Sequence, residues 1–170
     1  MANKESSIAY ENLNRRIFPG AGEYGIPRLE AETFDGNCEF VGFNYARGNC
    51  RNPEKKAVHF FIDDYQFDAL WRNVDRYVDK LRQFQYVLTP DFSTYTDFPK
   101  AIQIYNHYRK HWVGAYLQEY GCRVIPTISW STPESYAWCF DGEPKGGTLA
   151  VSSVGCMNSA EKRSLFLSGY

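Results

Sequence analysis

Long apolar runs, paired cysteine motifs and a strong excess of either charge are all missing from this chain. No stretch approaches the roughly 20 consecutive apolar residues that a membrane-spanning helix needs. Met1–Ser7 carries no apolar signal core, so no membrane partner is expected and a cytoplasmic setting is. The five cysteines (Cys38, Cys50, Cys122, Cys139 and Cys156) form no Cys-x-x-Cys pair. Structural zinc of the usual paired spacing is therefore not expected, and a reducing compartment is. The net charge is -1, which argues against duplex nucleic acid as a partner, since such binding is driven by phosphate neutralisation. Lys55-Lys56 and Arg109-Lys110-His111 are short and separated, and read as solvated faces. The chain also has no Gly-x-Ser-x-Gly, no P-loop and no Gly-x-Gly-x-x-Gly. Gly146-Gly147 reads as a turn.

What is present is 170 residues, enough for one domain with its own core. The aromatic share of 17% points to a core built on rings. Three apolar runs end in small polar sets before helix-like sequence: Val58 to Asp64, Tyr86 to Ser93, and Arg123 to Trp130. Thr148 to Ser153 repeats the form with hydroxyls. Continuous apolar runs are the mark of strands buried on both faces of a parallel sheet.

Between the runs the period changes. Phe67, Leu70, Trp71, Val74, Val78 and Leu81 share one helical face, which predicts a helix from about Tyr65 to Phe84 with Asp64 able to cap it. A second helix is expected from Pro99 to Tyr120, stopped by Gly121, with Ile102, Tyr105, Trp112, Val113, Tyr116 and Leu117 as its apolar face. A short helix is expected from Thr132 to Trp138, and a closing one from Ser159 to Leu167 with Ser159 as cap. Glu39 to Tyr45 alternates enough to be a strand. Residues 1–36 carry scattered Gly and Pro and read as an irregular N-terminal arm with one short helix, Ile8 to Arg16. Residues 37–170 read as a single α/β domain. Its expected core is a mostly parallel sheet of four or five strands flanked by helices, either doubly wound or partial-barrel-like.

Ligands of such sheets sit beyond the strand C-termini. Asp63, Asp64 and Asp91 follow two strands there, and are the candidate catalytic residues if those strands are neighbours. Clustered carboxylates can hold Mg²⁺ or divide acid and base roles; a plain role in capping or turns competes with both. Asn44, Ser93, Tyr95, Ser129 and Trp130, with Ser131, lie on the same rim. They offer hydrogen bonds and a ring to a polar small molecule or nucleotide. His107 and His111 share a helical face but lack the zinc-protease pattern, so a packing role is expected. His59, inside a strand, reads as a hydrogen-bonded core residue. Cys139 and Cys156 read as small apolar side chains.

Phe43-Asn44-Tyr45-Ala46, His59 through Phe67 with Leu70-Trp71, Val87-Leu88-Thr89-Pro90-Asp91-Phe92-Ser93, Tyr95, Phe98-Pro99, Val124-Ile125-Pro126 with Trp130, and Cys139-Phe140-Asp141-Gly142 with Pro144-Lys145 together resemble the DUF4417 family of bacteria, phages and plasmids. The resemblance covers roughly residues 40–170, and Leu88 to Ser93 is its most specific part. It implies a bacterial or mobile-element origin and no particular activity. It also implies that members often continue with another helix-strand unit, so that an open sheet edge could serve a homo-oligomer. Three functions stay open: a small-ligand or nucleotide-directed enzyme, a non-catalytic host-interaction or ligand-sequestering protein, and a nucleic-acid binder.

Overall fold

The computed structural model describes residues 11–170. The expected helix from Ile8 to Arg16 lies partly outside them; within them, residues 11–15 form turns and no helix. The rest of the arm is more ordered than its lack of period implied. It makes a small antiparallel hairpin of β1 (Gly20–Ala21) and β2 (Ile26–Pro27). Its order comes from side chains of the main domain: the Trp112 indole N–H donates to the Arg16 carbonyl (2.9 Å), and the His111 ring bonds the Pro27 carbonyl (2.9 Å). Such cross-chain bonds leave no periodic trace in the arm itself.

The main sheet has four parallel strands, β3 (Glu39–Gly42), β4 (Lys56–His59), β5 (Tyr86–Leu88) and β6 (Val124–Ile125). Their spatial order is β3-β4-β5-β6. A doubly wound sheet reverses its strand order at a switch point. Here the order follows the sequence without reversal, so the arrangement is that of a barrel segment.

The strands are shorter than expected, each for a local reason. β4 stops at His59 because Nδ1 of that residue accepts the Phe61 N–H (3.3 Å) and the chain turns. Pro126 has no N–H to continue β6. The expected strand at Thr148–Ser153 reduces to one parallel bridge, Thr127 to Ala150, held by Ala150 N–H to Pro126 O (2.7 Å) and Ile128 N–H to Ala150 O (2.8 Å).

Val41, Val58, Val87 and Val124 form one cross-strand row. Residues next to them along each strand point to the opposite face. On that second face Phe34 of the arm packs edge-on against Tyr86 at 5.2 Å, and the Arg123 guanidinium sits 4.3 Å above the same ring.

One four-residue turn of helix, α1 (Phe43–Ala46), follows β3. The long helix expected after β4 is instead a 3-10 turn (Asp64–Gln66), α2 (Asp68–Arg72) and α3 (Asp75–Leu81). The break falls at Asn73, whose backbone leaves the helical region (φ -149°, ψ 69°). Leu70, Trp71, Val74, Val78 and Leu81 are all buried in one cluster with the strands. The apolar spacing therefore marked the right face, and that spacing survives the break.

α4 (Lys100–Glu119) matches its expected span, and Gly121 ends it in the left-handed region (φ +84°) with Gly121 N–H bonded to Gln118 O. Its buried face differs from the expectation: Ile102 is exposed, whereas Gln103, Asn106, His107, Lys110 and His111 are buried. A 3-10 turn (Pro133–Ala137) and α5 (Ala160–Gly169) close the chain. Ser159 caps α5 as expected, its hydroxyl accepting from Lys162 N–H at 3.2 Å.

Candidate site at the strand C-terminal rim

Because β3 to β6 run parallel, the loops that follow them all leave the same edge of the sheet. In barrel-like folds that edge carries the sites. All the candidate residues lie in the segments that follow those strands, Asn44 in α1 and Asp64 in the 3-10 turn. A cavity of about 310 Å³ opens among residues 91–96, residues 128–131 and the chain from Val151 to Phe166. Asp91, Tyr95, Ser129 and Trp130 line it; Asn44, Asp63, Asp64 and Ser93 do not.

Asp64 does not cap the helix after β4. Its carboxylate accepts the Ser93 hydroxyl (2.8 Å) and the Ser93 N–H (3.1 Å). Asn106 of α4 donates to the Ser93 carbonyl (2.6 Å). Asp64 and Asn106 therefore fix the loop after β5 at Ser93, two residues beyond Asp91. Asp63 is exposed, with only a 3.5 Å contact from Gln66. Asn44 lies at the far end of the rim, its Oδ1 buried and without a hydrogen-bond partner among the described residues.

Thr89 and Thr127, both fully buried, lie just before the cavity-lining segments in each loop. The Thr127 N–H donates to the Thr89 hydroxyl (2.7 Å) and the Thr127 hydroxyl to the Thr89 carbonyl (3.1 Å). These bonds tie the loop after β6 to the loop after β5.

Asp91 is part-exposed in the cavity, and among the described residues it has no hydrogen-bond or ion-pair partner. Withdrawal from water pushes its pKa up to about 6; the Lys110 ammonium opposes this and the Asp64 carboxylate adds to it. Lys110 is buried behind, its Nζ 3.6 Å from Glu143. The hydroxyls of Thr94, Thr96 and Ser129, also in the lining, make no hydrogen bond among the described residues. Trp130 is not a free stacking platform. Its indole N–H donates to the Leu165 carbonyl (2.9 Å) and its ring stacks on Phe166 at 5.6 Å, so it forms an apolar wall and holds α5 in place.

The α5 side of the cavity, with Ser152, Cys156, Lys162 and Phe166, was missed by sequence reasoning. The Ser159 cap signals the helix, but nothing local signals where the helix docks. Both helix histidines are buried: His107 Nε2 donates to the Asp141 carbonyl, and His111 bridges Pro27 and Glu143. No group of three or more His, Cys, Asp or Glu suited to a metal ion occurs among the described residues. No helix there is long and apolar enough to cross a membrane.

Fold and site thus define an α/β domain with a sequentially ordered parallel sheet and, at its strand C-terminal rim, a hollow lined by Asp91. The chain belongs to the DUF4417 family, a domain of unknown function, whose profile matches residues 18–170. The match reaches well into the arm, in keeping with the arm's packing against α4. The chain is similar to the Gene 1 protein of Mycobacterium phage L5, 48% identical over 162 residues that cover 94% of this chain and 70% of that protein. It is likewise similar to the Gene 1 protein of Mycobacterium phage D29, 40% identical over 167 residues that cover 94% of this chain and 60% of that protein. The chain therefore spans less than two thirds of the D29 relative. No solved structure matches.

Proposed function

We propose that this domain takes a small, polar, hydrogen-bond-donating molecule in the rim cavity, with Asp91 as its anchor. The observation that carries this reading is a half-buried carboxyl that has no hydrogen-bond or ion-pair partner among the described residues and faces a hollow of ligand size. Small-molecule sites typically have volumes of about 300–1,000 Å³, apolar walls and a few convergent polar groups. A cavity of about 310 Å³ suits a nucleoside or an amino-acid side chain. Asp91 accepts from an amine, amidine or guanidine, the hydroxyls of Thr94, Thr96 and Ser129 belong to the same lining, and Trp130 and Phe166 close the apolar side.

The enzymatic version of this reading rests on Asp91 alone. A carboxyl whose pKa lies near 6 can take a proton from a bound ligand and return it near neutral pH. Asp63 and Asp64 do not line the cavity with it, so a three-carboxylate Mg²⁺ site has no part in the proposal.

The test is a thermal-shift screen of amines, guanidines and nucleosides at pH 7.5 against the wild-type chain and Asp91→Asn. A ligand selective for the native state raises its melting temperature. The expected result is a shift from cationic members of the panel in the wild type and none in Asp91→Asn. Equal shifts in both proteins, or none in either, would refute the reading.

A further inference from the structure

The cavity is not isolated on the rim. Tyr95, which lines it, is 61% exposed, and Tyr65 in the next loop is 79% exposed. Asp63 stands exposed beside Tyr65. Strands β4 and β5 are neighbours in the sheet, and neighbouring strands lie about 4.8 Å apart. Two large exposed rings and the exposed Asp63 carboxylate thus lie in the loops after two neighbouring strands, on one edge of the sheet.

The charge of this edge is mainly acidic. The nine residues beyond each of β3 to β6 hold six carboxylates (Asp63, Asp64, Asp68, Asp91, Asp97 and Glu134) against two arginines, Arg47 and Arg51; Asp68 is paired with Arg72 and Arg109, and Glu161 offsets Lys162 in the cavity lining, which leaves five carboxylates in excess on this side. Both arginines follow β3, at the end away from the cavity. Tyr45 is exposed there too, but next to Arg47. The acidic part of the rim therefore runs from the cavity to Tyr65 and stops.

Resting on the cavity reading, we propose that the cationic group entering beside Asp91 is a lysine or arginine side chain of a polypeptide, whose backbone runs along the rim past Tyr95 and Tyr65. Tyrosine supplies large contact area with few rotatable bonds, and is enriched where proteins bind one another. A tyrosine ring also attracts a cation over its face. An extended chain covers about 3.3 Å per residue, so a short peptide can span the loops that follow two neighbouring strands. A nucleic-acid strand could stack on the same rings, but its phosphates would face the carboxylates rather than basic side chains.

Fluorescence anisotropy tests this with four probes: a labelled pentapeptide with central arginine and flanking lysines, the same peptide with flanking glutamates, a single-stranded oligonucleotide, and argininamide as unlabelled competitor. The variants are Asp91→Asn and the double variant Asp63→Asn/Tyr65→Ala, whose two positions are exposed. The basic peptide should bind the wild type at least tenfold more tightly than argininamide. The double variant should lose most of that advantage and keep its affinity for argininamide. A peptide no tighter than argininamide, equal binding of the glutamate peptide, or tighter binding of the oligonucleotide overturns the inference while leaving the cavity reading intact. If argininamide fails to compete and Asp91→Asn changes nothing, the cavity reading fails and the inference with it.

Discussion

Asp91→Asn should make the protein more stable at neutral pH, and the size of the gain can be worked out. In the folded chain Asp91 titrates near 6 rather than at the ordinary carboxyl value of 3.8. The native state therefore holds this proton more tightly than the unfolded state does. Below about pH 3.8 both states carry the proton and the ionisation has no effect. As pH rises through the window from 3.8 to about 6, the unfolded chain releases the proton first, and native stability falls. Above that window the loss is complete. At about 1.4 kcal/mol per pH unit, the full interval corresponds to about 3 kcal/mol. Asp91 keeps some solvent contact, so about 1–2 kcal/mol is the better expectation. For a chain of this size that is roughly 2–8 °C in melting temperature. Asparagine keeps the shape and removes the charge. Urea unfolding of both proteins from pH 3.5 to 8 should show curves that coincide at the acid end, separate between pH 4 and 6, and then run parallel. An Asp91→Asn variant less stable than wild type at pH 8 would mean that the carboxylate is paired, and the reasoning would be wrong.

Four further outcomes follow from the packing. Gly114→Ala places a Cβ 2.7 Å from Thr89 Cγ2 and 2.9 Å from Leu29 Cδ2; overpacking of about 1–3 kcal/mol should outweigh the helix-propensity gain of about 1 kcal/mol, and a stabilised variant in thermal unfolding would contradict this. Thr89→Val leaves the buried Thr127 N–H without its acceptor and should cost about 1–3 kcal/mol in chemical denaturation; a neutral effect would show that the two loops are not joined there. Burial holds the His107 pKa far below its ordinary value of 6.5, so the unfolded state binds this proton first and stability should fall as pH drops below 6.5; His107→Gln should flatten that fall, by up to about 1.4 kcal/mol per pH unit, and an unchanged slope counts against the assignment. Trp130→Ala removes the bond to Leu165 and the stack on Phe166, so trypsin should cut faster after Lys162 or Arg163; unchanged cleavage would show that α5 is held by something else.

The parallel sheet was legible because its strands are short apolar runs separated by helix-period sequence, a pattern that burial on both faces imposes. The strand order was not legible, since the same alternation serves a reversed or a sequential sheet. The face of α2 and α3 could be read from Leu70, Trp71, Val74, Val78 and Leu81, but the break at Asn73 could not, because one irregular residue leaves the spacing intact. α4 misled for a different reason. Its buried His107, Lys110 and His111 are partnered by Asp141, Pro27 and Glu143, which lie far away in sequence. At the rim, residue type and position after a strand located the candidates, yet could not separate Asp64, which braces Ser93, from Asp91, which faces the hollow. That distinction depends on a contact 29 residues apart. The α5 wall likewise depends on where one helix docks.

The most direct measurement is a carbon-detected NMR titration of the Asp91 carboxyl, made on the free chain and with saturating argininamide. The expected result is a midpoint near 6 in the free chain that moves down when the cation binds, because a positive neighbour favours the ionised form. A midpoint near 3.8 in the free chain, or one that saturating argininamide leaves unmoved, would contradict Asp91 serving as the anchor of this cavity.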